Sequence, residues 1–276
     1  MSAHRRKTLL TTLFVTLFSL LWWVPIVWMI GIAFKPQGTN SSNLIKTLLP
    51  PYVTTNFDYV FNNGQADIMR WLLNSLIVAA ISTALMLLVV TLAAFAFARI
   101  PFKFKSFWFW LLMASLMIPG EATLIPKYVL FRDLQLLNTH ASLILPSLAS
   151  VFALLLLKQF FERLPNELFE AARIDGCGWG RMFATIAMPL SLASVSAIAI
   201  FAFLGSWNDF LWPYISITEP RNMTVPIGLP FFRAQFNSDM GYPMAANSVA
   251  SIPILVAFFC FQKYIIKGIA FTGIKG

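Results

Sequence analysis

From Thr8 to Phe34 the chain carries no charged residue, and this uninterrupted apolar block constrains the fold more than any other feature. At 1.5 Å per residue such a block is long enough to cross a hydrocarbon core of about 30 Å, which takes roughly 20 residues. Lipid offers no hydrogen bonds to a backbone, so a segment of this kind satisfies its own N–H and C=O groups by becoming a helix. Comparable blocks recur along the chain. They predict an all-α integral membrane protein with six transmembrane helices, at Leu9–Phe34, Trp71–Ala98, Phe107–Leu130, Ala141–Phe161, Leu190–Ile217 and Met244–Ile266. Soluble domains carry about a quarter charged residues; here the share is 11%, with a mean hydropathy of +0.74. The first block follows His4, Arg5, Arg6 and Lys7 as a signal peptide would, but it is too long for one. It also shows no clear small-x-small cleavage site before Lys35, so it is expected to remain as a span.

Breakers and charges organise the rest. Pro119, Gly120, Glu121 and Pro126 interrupt the second half of the third block, where the helix should kink or end early. Arg5, Arg6, Lys7, Arg99, Lys103, Lys105, Lys158, Arg163, Arg173, Arg181, Lys263, Lys267 and Lys275 gather on one side of the proposed bundle. Lys35, Lys46, Arg70, Lys127, Arg132, Arg221 and Arg233 fall on the other. The positive-inside rule then places both termini in the cytoplasm of a multi-pass protein. The net charge of +9 sits at the ends of apolar blocks and forms no dense patch, so it marks topology and not a nucleic-acid surface. Cys177 lies in a charged loop and Cys260 inside the last apolar block, which points to neither a disulfide nor a metal site. Three regions follow. Residues 1–70 hold the cytoplasmic tip, first span and external segment; residues 71–266 form the core, with a cytoplasmic loop at 162–189; residues 267–276 form a cytoplasmic tail. The segments Lys35–Arg70 and Thr218–Pro243, rich in Pro, Asn and aromatics, are long enough to serve as external binding surfaces.

The cytoplasmic loop predicts a short helix over Pro165–Asp175, a break, and a second short helix. Pro165 suits a first helical position, Glu167 and Glu170 suit the positive N-terminal end, and Gly176 can supply a left-handed stop. A helix of this length is marginal alone in water and must be ordered by packing. Helical spacing sets Leu164, Leu168, Ala171 and Ala172 near one side, with Glu167, Glu170 and Arg173 around it.

The same loop resembles the signature of ABC-importer permease subunits: Glu170-Ala171-Ala172, three residues, Gly176, nine residues, then Ile186-x-Met188-Pro189, with Met188 where the family usually has Leu. Further features are similar to the smaller membrane subunit of maltose-type carbohydrate importers: Asn74-Ser75, Pro119 and Pro126, Leu137-Asn138-Thr139 before Leu145-Pro146, Trp207-Asn208-Asp209, and the Gly273–Gly276 ending. The resemblance implies the type I ABC importer permease fold in a bacterial plasma (inner) membrane. Its partners would be a second homologous permease, two ABC ATP-binding subunits, an external solute-binding protein and membrane lipid. It also implies that Leu168, Glu170, Ala171, Ala172, Asp175, Gly176, Ile186 and Pro189 couple to the ATPase. Glu170 would be a polar anchor, Ala171 and Ala172 a close-contact face, and Gly176 the bend. ATP and Mg would reside on the partner subunits. The chain is not expected to be an enzyme or to hold a cofactor or metal, and it lacks the Gly-x-x-x-x-Gly-Lys-Ser/Thr phosphate loop. By the same resemblance, Thr218–Pro243 would reach the solute-binding protein and Phe271–Gly276 would approach the ATPases.

Charged groups inside spans are costly and point to function by default. Asp209, in the outer part of the expected fifth span, stands beside Asn208 and Trp207. Together with Trp212 these residues can line a sugar path, the amide and carboxylate meeting hydroxyls and an indole stacking on a pyranose face. They can equally hold neighbouring helices together. The substrate is expected to be a mono- or oligosaccharide. The external cations Lys46, Arg70, Lys127, Arg221 and Arg233 keep glycerol 3-phosphate or a related phosphodiester open. An ion-coupled secondary transporter, the competing class, would show internal repeats and paired intramembrane charges.

Overall fold

The computed structural model describes residues 3–39, 43–62, 64, 66–235 and 240–273. Every regular element among them is helical. Among the described residues four helices are long and apolar enough to cross a membrane, at Leu10–Ala33, Ile68–Arg99, Trp179–Trp207 and Gly241–Phe259, and two bent helix pairs bring the number to as many as six. The protein is thus an all-α, multi-spanning membrane protein.

Two compact units divide the chain, residues 1–69 with 228–253 and residues 70–227 with 254–276. In the first, α1 (Ala3–Ala33) is exposed over most of its length and is tied down at its end. Asn56, fully buried on α3 (Thr55–Asn62), donates its amide to Ala33 O at 2.9 Å and Lys35 O at 2.7 Å, satisfying carbonyls that a helix terminus leaves open. Lys35 is buried as well, donating to Leu49 O and Pro51 O with its ammonium over the Tyr52 ring. A short α2 (Leu44–Thr47), capped by Asn43, precedes α3, so the expected external segment is partly helical. Gly241, which opens α14 (Gly241–Gly273), has no room for a side chain: a Cβ there would lie 2.9 Å from Asn56 Nδ2.

The second unit is organised on α4 (Ile68–Arg99), which carries two apolar clusters. Toward its C-terminus Met86, Val90, Ala94 and Phe95 pack with Ala153, Leu154, Leu157 and Phe161 of α8 (Val151–Glu162). Phe169 of α9 (Asn166–Ile174), Met182 of α10 (Trp179–Met182), Ala187, and Val195 of α11 (Met188–Trp207) complete that cluster. Nearer its N-terminus, Val78 packs with Phe131 of α6 (Leu124–Asp133), Leu143 of α7 (His140–Ile144), Trp212 of α12 (Leu211–Ser216) and Ile227 of α13 (Val225–Gln235).

The third expected span is not one helix. α5 (Lys105–Ser115) stops before Pro119, a 3₁₀ turn covers Gly120–Thr123, and α6 leaves at 95°. The fourth bends by 41° where α7 runs into a 3₁₀ turn at Leu145–Leu148 and the backbone extends at Ala149 and Ser150. Pro146 withholds a donor there, and the Ser150 hydroxyl restarts the helix by accepting from Ala153 N at 3.3 Å. The fifth span is displaced from the expected Leu190–Ile217: its helix begins at Trp179 and ends at Trp207. It breaks at Asn208, whose backbone N–H and side-chain amide both donate to Leu204 O, at 3.0 and 2.8 Å, and α12 starts anew at Leu211. Asp209 therefore lies beyond the end of that helix and not within it. Thr218–Pro243 is likewise not an open loop, since it holds the turn Pro220–Asn222 and α13, with 236–239 outside the described residues.

Candidate functional site

In the loop 162–189, α9 is held against the end of α4 by one arginine. Arg99 donates to Phe161 O through Nε at 2.9 Å and Nη2 at 2.6 Å, to Leu164 O at 2.5 Å, and to the Asn166 side chain, while its guanidinium lies 4.4 Å from the Phe169 ring centre. Its fork thus serves carbonyls at the end of α8 and the first turn of α9 together. Phe95 receives the aromatic side, with ring centres at 5.9 Å to Phe161, 6.3 Å to Phe169, 6.5 Å to Trp179 and 5.3 Å to Phe183. Arg173 covers Trp179 at 4.5 Å.

This anchoring decides which face of α9 is free. Phe169 is buried and Ala172 packs beside it, whereas Leu168, Glu170, Ala171 and Asp175 are exposed and Ile174 is 88% exposed. The expected apolar side is therefore split: Ala172 faces the chain's own core and Ala171 faces out with Leu168 and Ile174. Pro165 stands at the cap position, just before the helix, and Gly176 closes it at φ +76°. Beyond it, Phe183–Ala187, which contains Ile186, is a π-helical turn between α10 and α11. Pro189 lacks the N–H that an α-helix would direct to Thr185 O, and the wider turn absorbs the misfit. Arg99, Phe95 and Phe169 were legible in sequence only as a topology charge and as apolar filling. The one available signal was Phe169 at i−3 from Ala172, about 100° around the helix from Leu168.

The motifs read at the other end of the unit converge on residues 216–225. Asn138, at φ +61°, accepts through Oδ1 from Thr218 N at 2.5 Å, Thr218 Oγ1 at 2.9 Å and Glu219 N at 3.2 Å, while its carbonyl accepts from Asn222 at 2.6 Å. Asn74 donates to Arg221 O at 2.9 Å and Met223 O at 2.8 Å, Ser75 accepts from Val225 N at 2.8 Å, and Trp71 donates to Pro220 O at 2.9 Å. Trp207 and Trp212 are buried. The first stacks on Phe203; the second donates to Ser142 O at 2.7 Å and has the Lys127 ammonium 3.9 Å from its ring centre. Arg221 pairs with Glu219 at 2.7 Å. Asn208 is exposed.

Asp209 lines a cavity of about 250 Å³ with Ser82, Thr83, Ser147, Ser150 and Ser206. The residue as a whole is open to solvent. A larger cavity of about 490 Å³, bounded by Ala80, Leu87, Ile200, Phe203 and Phe258, is apolar throughout apart from Thr83 and offers little to orient a hydroxylated solute. Among the described residues no group of three or more His, Cys, Asp or Glu is placed to hold a metal ion.

Comparison with known proteins gives a consistent answer. The arabinooligosaccharides transport system permease protein AraQ of Halalkalibacterium halodurans is 34% identical over 91% of this chain and 91% of its own length. The sn-glycerol-3-phosphate transport system permease protein UgpE of Shigella flexneri serotype 5b is 34% identical over 81% of this chain and 82% of its own. One chain in the crystal structure of a bacterial ABC transporter involved in the import of the acidic polysaccharide alginate superposes with a TM-score of 0.80, covering 96% of this chain and 98% of that one; at 16% identity this likeness speaks for the fold. The model of the binding-protein-dependent transport system inner membrane component matches residues 90–271, the greater part of the sequence and the whole of the Arg99-anchored loop, and this chain belongs to that family of ABC-importer permease subunits.

Proposed function

We propose that this permease subunit passes a small hydroxylated solute, a phosphorylated polyol of the glycerol 3-phosphate kind, through a bacterial plasma membrane. A solute-binding protein outside would deliver it, and two ATP-binding subunits on the side of α9 would drive it. Both termini lie in the cytoplasm, the 71–266 core pairs with a second homologous permease, and ATP and Mg stay on the partners. The tail Phe271–Gly276 approaches the ATPases; its last three residues lie outside the described ones.

The observation that carries the coupling is the outer face of α9. Leu168, Ala171 and Ile174 recur every three residues on a helix already fixed by Phe169 and Arg99, and an 88% exposed isoleucine on a water-facing loop fits a partner's apolar cleft. Glu170 and Asp175 flank that face, and the bend at Gly176 and the π turn at Phe183–Ala187, followed by Pro189 in the first turn of α11, pass its movement to α11. The polyol-phosphate reading draws on the UgpE-type relatives and on exposed Lys46. A short arabinose-type sugar is the second reading, favoured by the AraQ relative and by the hydroxyl-lined cavity.

The test is reconstitution of the whole transporter in proteoliposomes with labelled sn-glycerol 3-phosphate or arabinotriose. ATP-dependent uptake of the former is expected. Ile174→Glu, which removes no internal contact of this subunit, should leave its melting temperature unchanged while reducing ATPase co-purification and uptake at least tenfold. Normal uptake by that variant would remove the coupling role of α9.

A further inference from the structure

We infer that the cavity at the foot of Asp209 is a solute subsite of this subunit, one that binds adjacent hydroxyl groups. The inference rests on the proposed transport of a hydroxylated solute and assigns its contact residues.

Three elements converge there. α4 supplies Ser82 and Thr83, the bend between α7 and α8 supplies Ser147 and Ser150, and the end of α11 supplies Ser206, with Asp209 just past it. Along α4 the cavity falls between the two apolar clusters, after Val78 and beside Met86. Two of its hydroxyls are anomalous. Ser82 is 2% exposed, and Ser82 Oγ and Thr83 Oγ1 are both buried without a hydrogen-bond partner inside the chain. Thr91 and Ser191, mid-helix in the same spans, return their protons to a carbonyl one turn back, to Leu87 O at 2.6 Å and to Ala187 O at 2.6 Å. Ser82 and Thr83 do not, and buried polar groups left unsatisfied beside a cavity call for an explanation.

The other two serines retain capacity. Ser147 donates to Ile144 O at 2.7 Å, leaving its oxygen to accept, and Ser150 accepts from Ala153 N, leaving its proton to donate. The backbone is non-helical at Ala149–Ser150, a departure tolerated at membrane depth where it is buried or lines a cavity. Hydroxyl donors thus face one carboxylate acceptor, Asp209. Adjacent hydroxyls of a sugar or polyol match that set, one donating to Asp209 while its neighbour accepts from Ser82 or Thr83. The volume of about 250 Å³ is below the roughly 300–1,000 Å³ of drug-sized sites, so the subsite takes one sugar ring or a three-carbon polyol at a time. Neither Trp207 nor Trp212 lines it.

The experiment uses the complete transporter in proteoliposomes, with Cys177 and Cys260 replaced by serine. Ser82→Cys and Thr83→Cys are exposed to a charged methanethiosulfonate with saturating sn-glycerol 3-phosphate, with arabinotriose, or with neither. The transported solute should slow modification at least tenfold, and the one that protects identifies the source of the hydroxyls. Ser82→Ala and Thr83→Val should each raise the transport KM about fivefold, the loss of roughly one hydrogen bond. Thr83→Ser, which keeps the hydroxyl, should restore it. Transport of either solute with no protection and an unchanged KM would overturn the subsite and leave the importer reading standing. Uptake of neither by the unmodified transporter would overturn the proposed solute class and the subsite with it.

Discussion

Replacing Arg99 with alanine should release α9 from the bundle without unfolding the membrane core. The guanidinium makes four hydrogen bonds, to Phe161 O twice, to Leu164 O and to the Asn166 side chain, and covers the Phe169 ring. The carbonyls concerned sit at a helix end that water can reach once the side chain is gone. Each bond is therefore worth the low end of the usual range, about 0.5 kcal/mol, and the ring contact adds about 0.5 kcal/mol. The sum is about 2.5 kcal/mol, which raises the population of the undocked loop about 60-fold. Amide hydrogen exchange of the purified transporter reads this directly: peptides covering 161–175 should exchange faster by that factor while those from 72–92 are unchanged. Arg99→Lys keeps a charge but loses the fork and should recover less than half of the protection. Unchanged exchange over 161–175 would refute the anchoring argument. A uniform rise across α4 would show that Arg99 supports the whole fold and not the loop.

Two further perturbations separate backbone from side-chain effects. A Cβ at Gly176 meets nothing within 4 Å, so Gly176→Ala is destabilising only through its φ of +76°; local exchange over α9 should reflect about 1 kcal/mol, whereas Gly178→Ala, equally open but at φ −73°, should be silent. Equal effects of the two would discard the left-handed stop. Asn138→Gly keeps the φ of +61° accessible and loses only the bonds to Thr218 and Glu219, costing about 2 kcal/mol. Asn138→Ala should cost about 1 kcal/mol more in the same thermal melt, and a smaller loss for alanine than for glycine would contradict it.

Solvent and structural class were legible in the amino-acid order alone. Charge-free blocks such as Thr8–Phe34 can only be helices in lipid, and the spacing from Glu170 to Pro189 was enough to identify the permease family. Pro119-Gly120 marked the broken third span, and Gly176 the stop of α9, because proline and glycine act through the local backbone. The rest depends on which groups meet across long separations. Periodicity gave α9 an apolar side but not its inward one, since Phe169 is drawn in by Phe95 and Arg99, some 70 residues earlier. Asn74-Ser75 and Leu137-Asn138-Thr139, legible only as motif letters, proved to pin residues 216–225 from two directions. α11 ends with Asn208 as its cap, the side-chain amide turned back onto Leu204 O, before Asp209 is reached. That displaced the carboxylate to the end of the helix, beside hydroxyls that sequence could treat only as filling for a span. A serine in an apolar run reads the same whether it returns its proton to the turn below or faces a cavity, and only the packing of three elements around Ser82 and Thr83 distinguishes the two.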